Sequence, residues 1–428
     1  MNAAIMFLIF FILMAVGIPI AFSLGLCSMA YILANGMTLS MVAQKMTTSL
    51  ESFVYVALPL FILAGDIMNT GGITLRLVNV SKAVVGRFKG GLAYVNVLAS
   101  MLFGGIQGLA SADTVAIGGL LIPAMRREGY EDGFSCAITV ASSTIGSIIP
   151  PSFLFICFGA ATSVSIGNIF LAGIIPGILL GLAQMVYVFY LSKSSRHKGT
   201  IPDGEHITLQ KALHYIYEGL PCLVLPFIII GGICTGVVTT TESAVLAVVY
   251  AMVYSLVVRE ITFKQLIKIM YESVQTVGSC MIILCTCSLF GYILTAEKIP
   301  QKVIAVLLGI TDNFYILILI ITLFLLIVGT FMDATPATLI LAPILLPVMT
   351  GLGMEPVHVA VYTCFALVIG LITPPVGSCL YLASGISGLS IERISKAVLP
   401  LILVNTIVLL LVAYIPFLTT WIPHIAGV

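Results

Sequence analysis

The chain has 428 residues, 60% hydrophobic and only 8% charged, with a mean hydropathy of +1.20 and a formal net charge of +1. Soluble domains carry about 25% charged residues, so the composition predicts a polytopic protein that lives in a lipid bilayer. A net charge this small, with no basic face, excludes nucleic acid as a partner.

The N-terminal stretch MNAAIMFLIFFILMAVGIPIAF lacks a basic leader and a small-residue cleavage site, so it reads as a retained first helix. Apolar segments follow at 3–21, 22–37, 51–69, 133–162, 168–191, 219–238, 243–258, 271–295, 357–385 and 398–418. A crossing needs about 20 apolar residues, which leaves the first two short. Segments 72–91 and 297–313 mix charge with apolar residues and suit amphipathic helices lying in the interface.

Two further stretches, 92–126 and 314–350, are apolar but interrupted, at GGIQGLASADT and GTFMDATPAT. Each half is too short for a comfortable crossing, which predicts re-entrant helical hairpins over two simple crossings. The segments after them break as well, at Pro150-Pro151 inside 133–162 and at Pro374-Pro375 inside 357–385. Consecutive prolines remove two N–H donors and clash with the preceding turn, so no continuous helix survives. In lipid the carbonyls freed there need partners, which confines such breaks to a protein interior or a wet cavity.

The breaks recur in order. Ten residues separate Asp113 from Pro123 and Asp333 from Pro343; twenty-six separate Pro150 from Pro176 and Pro374 from Pro400. Gly65 mirrors Gly291. The reading is an all-α membrane protein of two inverted repeats, each of about five transmembrane helices plus one re-entrant hairpin. The first repeat is 1–192, with hairpin 92–126 and broken helix 133–162. A linker at 193–212 follows, cytoplasmic by the charge rule below. The second repeat is 213–428, with hairpin 314–350 and broken helix 357–385.

Charge orients this arrangement. Fifteen of the 18 Lys and Arg residues fall on one face: between Arg76 and Lys89, at Arg126-Arg127, between Lys193 and Lys211, between Arg259 and Lys268, and at Arg393 and Lys396. Only Lys45, Lys298 and Lys302 fall on the other. The positive-inside rule makes the first face cytoplasmic and puts both termini outside.

No G-x-x-x-x-G-K-[ST] loop and no H-E-x-x-H motif is present, so neither nucleotide hydrolysis nor that type of zinc site is expected. The ten scattered cysteines suit buried small hydrophobes, and the five histidines suit solvated positions. The breaks, by contrast, gather hydroxyls and freed carbonyls: Ser111 and Thr114 with Ser143, Ser147 and Ser152; Thr330 and Thr335 with Thr373 and Ser378. Hard oxygen ligands at helix C-terminal ends suit Na+, and helix N-termini at the same breaks suit an organic anion. An intramembrane carboxylate is a functional candidate by default. For Asp113 and Asp333 the preferred reading is a helix cap at each tip, with direct ligation the alternative. Asp66 reads as interfacial, and Glu242 as facing the outer boundary.

The motifs SADTVAIGGLLIPAM (111–125), ASSTIGSIIPPSFLFI (141–156), GTFMDATPATLILAPILLP (329–347) and LVIGLITPPVGSCLY (367–381) resemble the large membrane subunit of tripartite ATP-independent periplasmic (TRAP) transporters, the DctM-like subunit of the ion transporter superfamily. The resemblance runs over essentially the whole chain. It implies Na+-coupled import across the bacterial inner membrane of a carboxylate such as a C4-dicarboxylate, a sialic acid or a sugar acid. It implies two partners, a periplasmic substrate-binding protein and a small four-helix membrane subunit. It implies an elevator-type transport domain moving against a scaffold, and no enzyme activity.

Carried onto this chain, the resemblance places one Na+ site at Ser111, Gly146, Ile149 and Ser152. It places a second at Asp333, Thr335, Gly370, Thr373 and Val376, with Ile149 and Val376 offering only backbone carbonyls. Substrate would touch Ser111, Asp113 and Thr335. Neither tip carries an arginine to anchor a carboxylate. The rival readings are a stand-alone carboxylate transporter or antiporter, an intramembrane enzyme using Ser and Asp, and a passive channel.

Overall fold

The computed structural model describes residues 3–51, 56–70, 72–193, 202, 204, 208–234, 236–311 and 313–426; most of the expected linker at 193–212 lies outside them. The described residues form twenty helices and no strand. In order these are α1 (Ala3–Ala15), α2 (Ile20–Ala34), α3 (Leu39–Leu50), α4 (Ala57–Thr70), α5 (Ile73–Val85), α6 (Gly91–Gln107), α7 (Ala110–Arg127), α8 (Asp132–Gly146), α9 (Phe153–Thr162) and α10 (Ile166–Lys193). Then come α11 (Leu209–Cys234), α12 (Thr240–Val257), α13 (Phe263–Ala296), α14 (Ile299–Ile310), α15 (Phe314–Phe331), α16 (Ala334–Gly351), α17 (Pro356–Gly370), α18 (Ser378–Ser387), α19 (Ile391–Tyr414) and α20 (Phe417–Ile425).

Seven of these helices are long and apolar enough to cross a membrane, and α4 with α5 forms a further apolar pair bent by 72°. The protein is therefore a multi-pass membrane protein. The interrupted stretches form the expected helix pairs, α6–α7 and α15–α16, and both spans break at their Pro-Pro, giving α8–α9 and α17–α18. Both Pro-Pro bonds are cis.

Packing divides the helices. α4 packs on α12, α5 on α11, and α2 and α3 on the 34-residue α13. Around the breaks, α6 and α7 both pack on α8, and α15 and α16 both pack on α17. The second arm of each pair then reaches across the chain, α7 onto α18 and α16 onto α9. Likewise α8 packs on α19 and α17 on α10. These pairs around the breaks correspond one to one, whereas others do not: α5 packs on α6 and α20 on α10 with no such partner in the other half.

Two expectations need correction, and two helices are unexpected. The polar stretch after residue 37 is a helix, α3, and the chain end forms α20; neither had a clear apolar signal, α3 because it carries Ser, Thr, Gln and Lys. Helix α5 does not simply lie on lipid, because Leu77, Val78, Val80 and Ser81 are buried against its neighbours. Among the described histidines, His214 and His424 are exposed and lie 3.3 Å from Glu218 and Glu355, but His358 is buried, its ring nitrogens without a hydrogen bond.

Candidate functional site: two hairpin tips against two Pro-Pro breaks

The first tip is two residues long, Gly108 and Leu109, between α6 and α7. Gly108 sits at φ +65 with its Cα against the Pro150-Pro151 break; a Cβ there would lie 2.1 Å from the Pro151 carbonyl oxygen. That close approach and that backbone both require glycine. The tip docks by hydrogen bonds: the Ala110 N–H donates to Ser147 Oγ at 2.8 Å, and the Phe153 N–H donates to the Gly108 carbonyl at 3.2 Å. Ser152 caps α9, accepting from the Phe155 N–H while its hydroxyl donates to the Ser147 carbonyl. Thr114 Oγ1 donates to Ser143 Oγ at 2.8 Å.

Asp113 is not the cap of α7. The cap position is Leu109, and Asp113 is the fourth residue of the helix. Its side chain is 1% exposed, and both carboxylate oxygens lack a hydrogen-bond partner. A Cβ added at Gly146 would lie 3.7 Å from Asp113 Oδ2, which places the carboxylate beside the C-terminal end of α8. Buried carboxylates are paired, protonated or bound to a cation.

At the second tip Asp333 is the cap, accepting from the Thr335 N–H at 3.4 Å. The two aspartates are therefore not equivalent. Asp113 is residue four of α7, whose counterpart in α16 is Ala337; Pro123 likewise corresponds to Pro347, not Pro343. The ten-residue spacing matched by coincidence of two proline positions in α16. Ser111 and Thr335, each the second residue of its helix, do correspond.

The second tip is held to its break more loosely, by a Gly377 N–H donating to the Thr330 carbonyl at 3.5 Å. Thr373 Oγ1 donates back to the Ile369 carbonyl at 2.7 Å, leaving its lone pairs for a ligand. Asp333 and Val376 are exposed, and Thr335 and Thr373 half-buried. In the first region Gly146 and Ser152 are buried and Ser111 and Ile149 half-buried. Of the predicted residues, Ser152 lies against Gly108 of the first tip and Gly146 beside Asp113, while Gly370 lies against Gly329 of the second hairpin.

Both regions rest on a glycine pair. A Cβ on Gly104 would meet Gly146 Cα at 2.4 Å, and one on Gly370 would meet Gly329 at 2.2 Å. Such contacts let hairpin and broken span approach backbone to backbone, the small-residue packing typical of membrane helices.

Sequence reasoning missed Ser147 as the tip's anchor and the polar net behind it. Asn96 Nδ2 donates to Thr139 Oγ1 at 2.6 Å, Ser142 Oγ to Asn96 Oδ1 at 3.0 Å, and Ser100 Oγ to Ser142 Oγ at 3.2 Å. Gln184 joins α10 to Asn405 of α19 at 2.9 Å, and Asn405 Nδ2 donates to Thr144 Oγ1 at 3.2 Å. An Asn or Gln inside an apolar helix was the available signal. Asp66, expected at the interface, is half-buried and accepts from Ser273 Oγ at 2.6 Å.

A membrane protein with paired interrupted hairpins facing paired broken spans has the architecture of a secondary transporter. The chain belongs to the DctM family: residues 7–418 match the model for the tripartite ATP-independent periplasmic transporter, DctM component. It is 42% identical to the uncharacterized protein YgiK of Salmonella typhimurium, over 97% of this chain and 95% of that one. It is 37% identical to the sialic acid TRAP transporter large permease protein SiaM of Vibrio cholerae, over 96% of both. It is also 39% identical to the isethionate TRAP transporter permease protein DctMQ of Oleidesulfovibrio alaskensis, over 96% of this chain and 65% of that one. Among solved structures, the YdaH transporter of Alcanivorax borkumensis shares the fold, with a TM-score of 0.63 at 16% identity over 90% of this chain and 87% of that chain.

Proposed function

We propose that this chain is the large subunit of a Na+-coupled importer of organic anions in the bacterial inner membrane. A periplasmic binding protein delivers the anion, and a small four-helix subunit completes the membrane part. Its relatives are named for sialic acid, isethionate and C4-dicarboxylate transport. The observation that carries the coupling claim is Asp113, a buried carboxylate whose oxygens lack a hydrogen-bond partner, beside the C-terminal end of α8. Na+ held by Ser111, Gly146, Ile149, Ser152 and the Asp113 carboxylate would neutralise it. Asp113 suits the cation better than the anion, because two uncompensated negative charges in a dry site repel strongly. The second Na+ would use the Asp333–Thr335 tip with Gly370, Thr373 and Val376, and substrate would lie between Ser111 and Thr335.

The exchanged packing pairs, α7 on α18 and α16 on α9, support an inverted repeat in which hairpins and broken spans move together as an elevator. The remaining helices, tied through α13, would be the scaffold. Contacts also support a single cation-rich end: Arg76 pairs with Glu260, Arg126 Nη1 donates to the Ser387 carbonyl at 2.8 Å, and Arg126 Nε lies 3.1 Å from Asp132. By the positive-inside rule that end is cytoplasmic and both termini are periplasmic. One net charge moving down 100 mV supplies about 2.3 kcal/mol, enough for useful accumulation. Uptake by proteoliposomes holding both membrane subunits, with the binding protein outside, tests the reading. An inward Na+ gradient should drive accumulation; uptake indifferent to Na+ would refute the coupling.

A further inference from the structure

At the end of the molecule opposite the arginines, α3 and α13 enclose a cavity of about 460 Å3 against α16 and the end of α9. It lies in the range of small-molecule sites. Its walls include Lys45, Ser49, Ser163, Ser288, Tyr292 and Thr295. Lys45 is half-buried, with its Nζ 4.5 Å from the centre of the Tyr292 ring. Among the described residues no carboxylate pairs with it; Glu297, at the end of the same α13, is engaged by Tyr31 and by Lys302. Ser49 Oγ and Thr295 Oγ1 already donate to carbonyls of their own helices, at 2.8 and 2.9 Å, so toward the cavity they present lone pairs.

We infer that this cavity is an outer vestibule for the transported anion, with Lys45 as its cationic anchor and selectivity for solutes with one negative charge and several hydroxyls. The inference rests on the organic-anion reading above. One ammonium offers three donors to one carboxylate or sulfonate. The accepting hydroxyls of Ser49 and Thr295 match hydroxyl donors on the solute, and would face a second carboxylate with lone pair against lone pair. A lone cation in a partly desolvated cleft also raises the local anion concentration. The cavity lies between α13 and α16, so a solute bound there meets both the helices tied through α13 and the second hairpin. This supplies the charge that neither hairpin tip contains.

The test uses the reconstituted three-part transporter at saturating binding protein, with N-acetylneuraminate, D-gluconate, isethionate and succinate as labelled probes. Lys45→Met should raise the KM for the transported monoanion about tenfold or more with Vmax little changed, the signature of a lost charge-assisted contact made on binding. Lys45→Arg should restore most of it. A KM unchanged in Lys45→Met overturns the anchor while leaving the anion reading intact. Succinate taken up better than every monoanion overturns the single-charge selectivity. No uptake of any probe by the wild type overturns the anion reading, and this inference with it.

Discussion

The two tip-and-break regions share a backbone plan and differ in how they are closed. The first is sealed: Gly108 and Ala110 are bonded to the break, the facing span is buried, and a net of Asn96, Ser100, Ser142 and Thr139 stiffens it from behind. The second is open: the Gly377 N–H reaches the Thr330 carbonyl only at 3.5 Å, and Asp333 and Val376 are exposed. The carboxylate follows the same division. At the second tip it caps a helix; at the first it is buried without a partner. The backbone breaks in the same way in both regions, and the side chains then set each break in a different environment. The first break is closed off from water, and the second is exposed.

The glycine pairs break this comparison most severely. The sensitive member lies on the hairpin in the first region and on the broken span in the second. A Cβ at Gly104 meets Gly146 Cα at 2.4 Å, whereas one at Gly146 meets Gly104 Cα only at 3.4 Å. In the second region a Cβ at Gly370 meets Gly329 at 2.2 Å, and one at Gly329 meets its nearest atom at 2.9 Å. Gly104→Ala and Gly370→Ala should each cost about 1–3 kcal/mol through overpacking, and Gly146→Ala much less. Thermal unfolding in detergent measures the order; equal losses within the first pair would contradict the geometry.

Asp113→Asn comes next. Replacing an uncompensated buried charge by its neutral isostere should leave folding intact or strengthen it by about 1 kcal/mol or more, while Na+ stimulation of uptake disappears. A destabilised variant that keeps its Na+ response would mean the carboxylate serves the fold. Thr373→Val should reduce Na+ affinity in the open region and cost about 1 kcal/mol for the lost bond to Ile369; an unchanged Na+ half-saturation removes Thr373 from the site. The smallest effect on stability belongs to Asp333→Asn. Asn caps as well as Asp does, so stability should move by only a few tenths of a kcal/mol; a large loss of stability would show that Asp333 does more than cap.

Much of this was legible in the chain. Pro150-Pro151 and Pro374-Pro375 announced broken spans because proline cannot continue a helix. The interruptions at Gly108 and Asp333 announced two helix pairs, but length did not separate a re-entrant pair from two crossings, since α15 and α16 are each long and apolar enough to span. What spacing could not give was register. Pro343 and Pro347 both lie in α16, and choosing the first made Asp333 look like the partner of Asp113, four residues out of step. Helix-cap preference then fitted Asp333 but misassigned Asp113, because a cap and a buried first-turn carboxylate look alike in sequence. Helix α3 escaped notice for a related reason: a hydroxyl-rich helix packed on α13 carries no apolar stretch long enough to stand out.

The most direct test of the central claim is equilibrium binding of labelled Na+ to the detergent-solubilised full chain and to its Asp113→Asn variant. The account predicts binding to the wild type that unlabelled Na+ displaces and K+ does not, with at least one equivalent lost in the variant. Equal Na+ binding by the two proteins would contradict it.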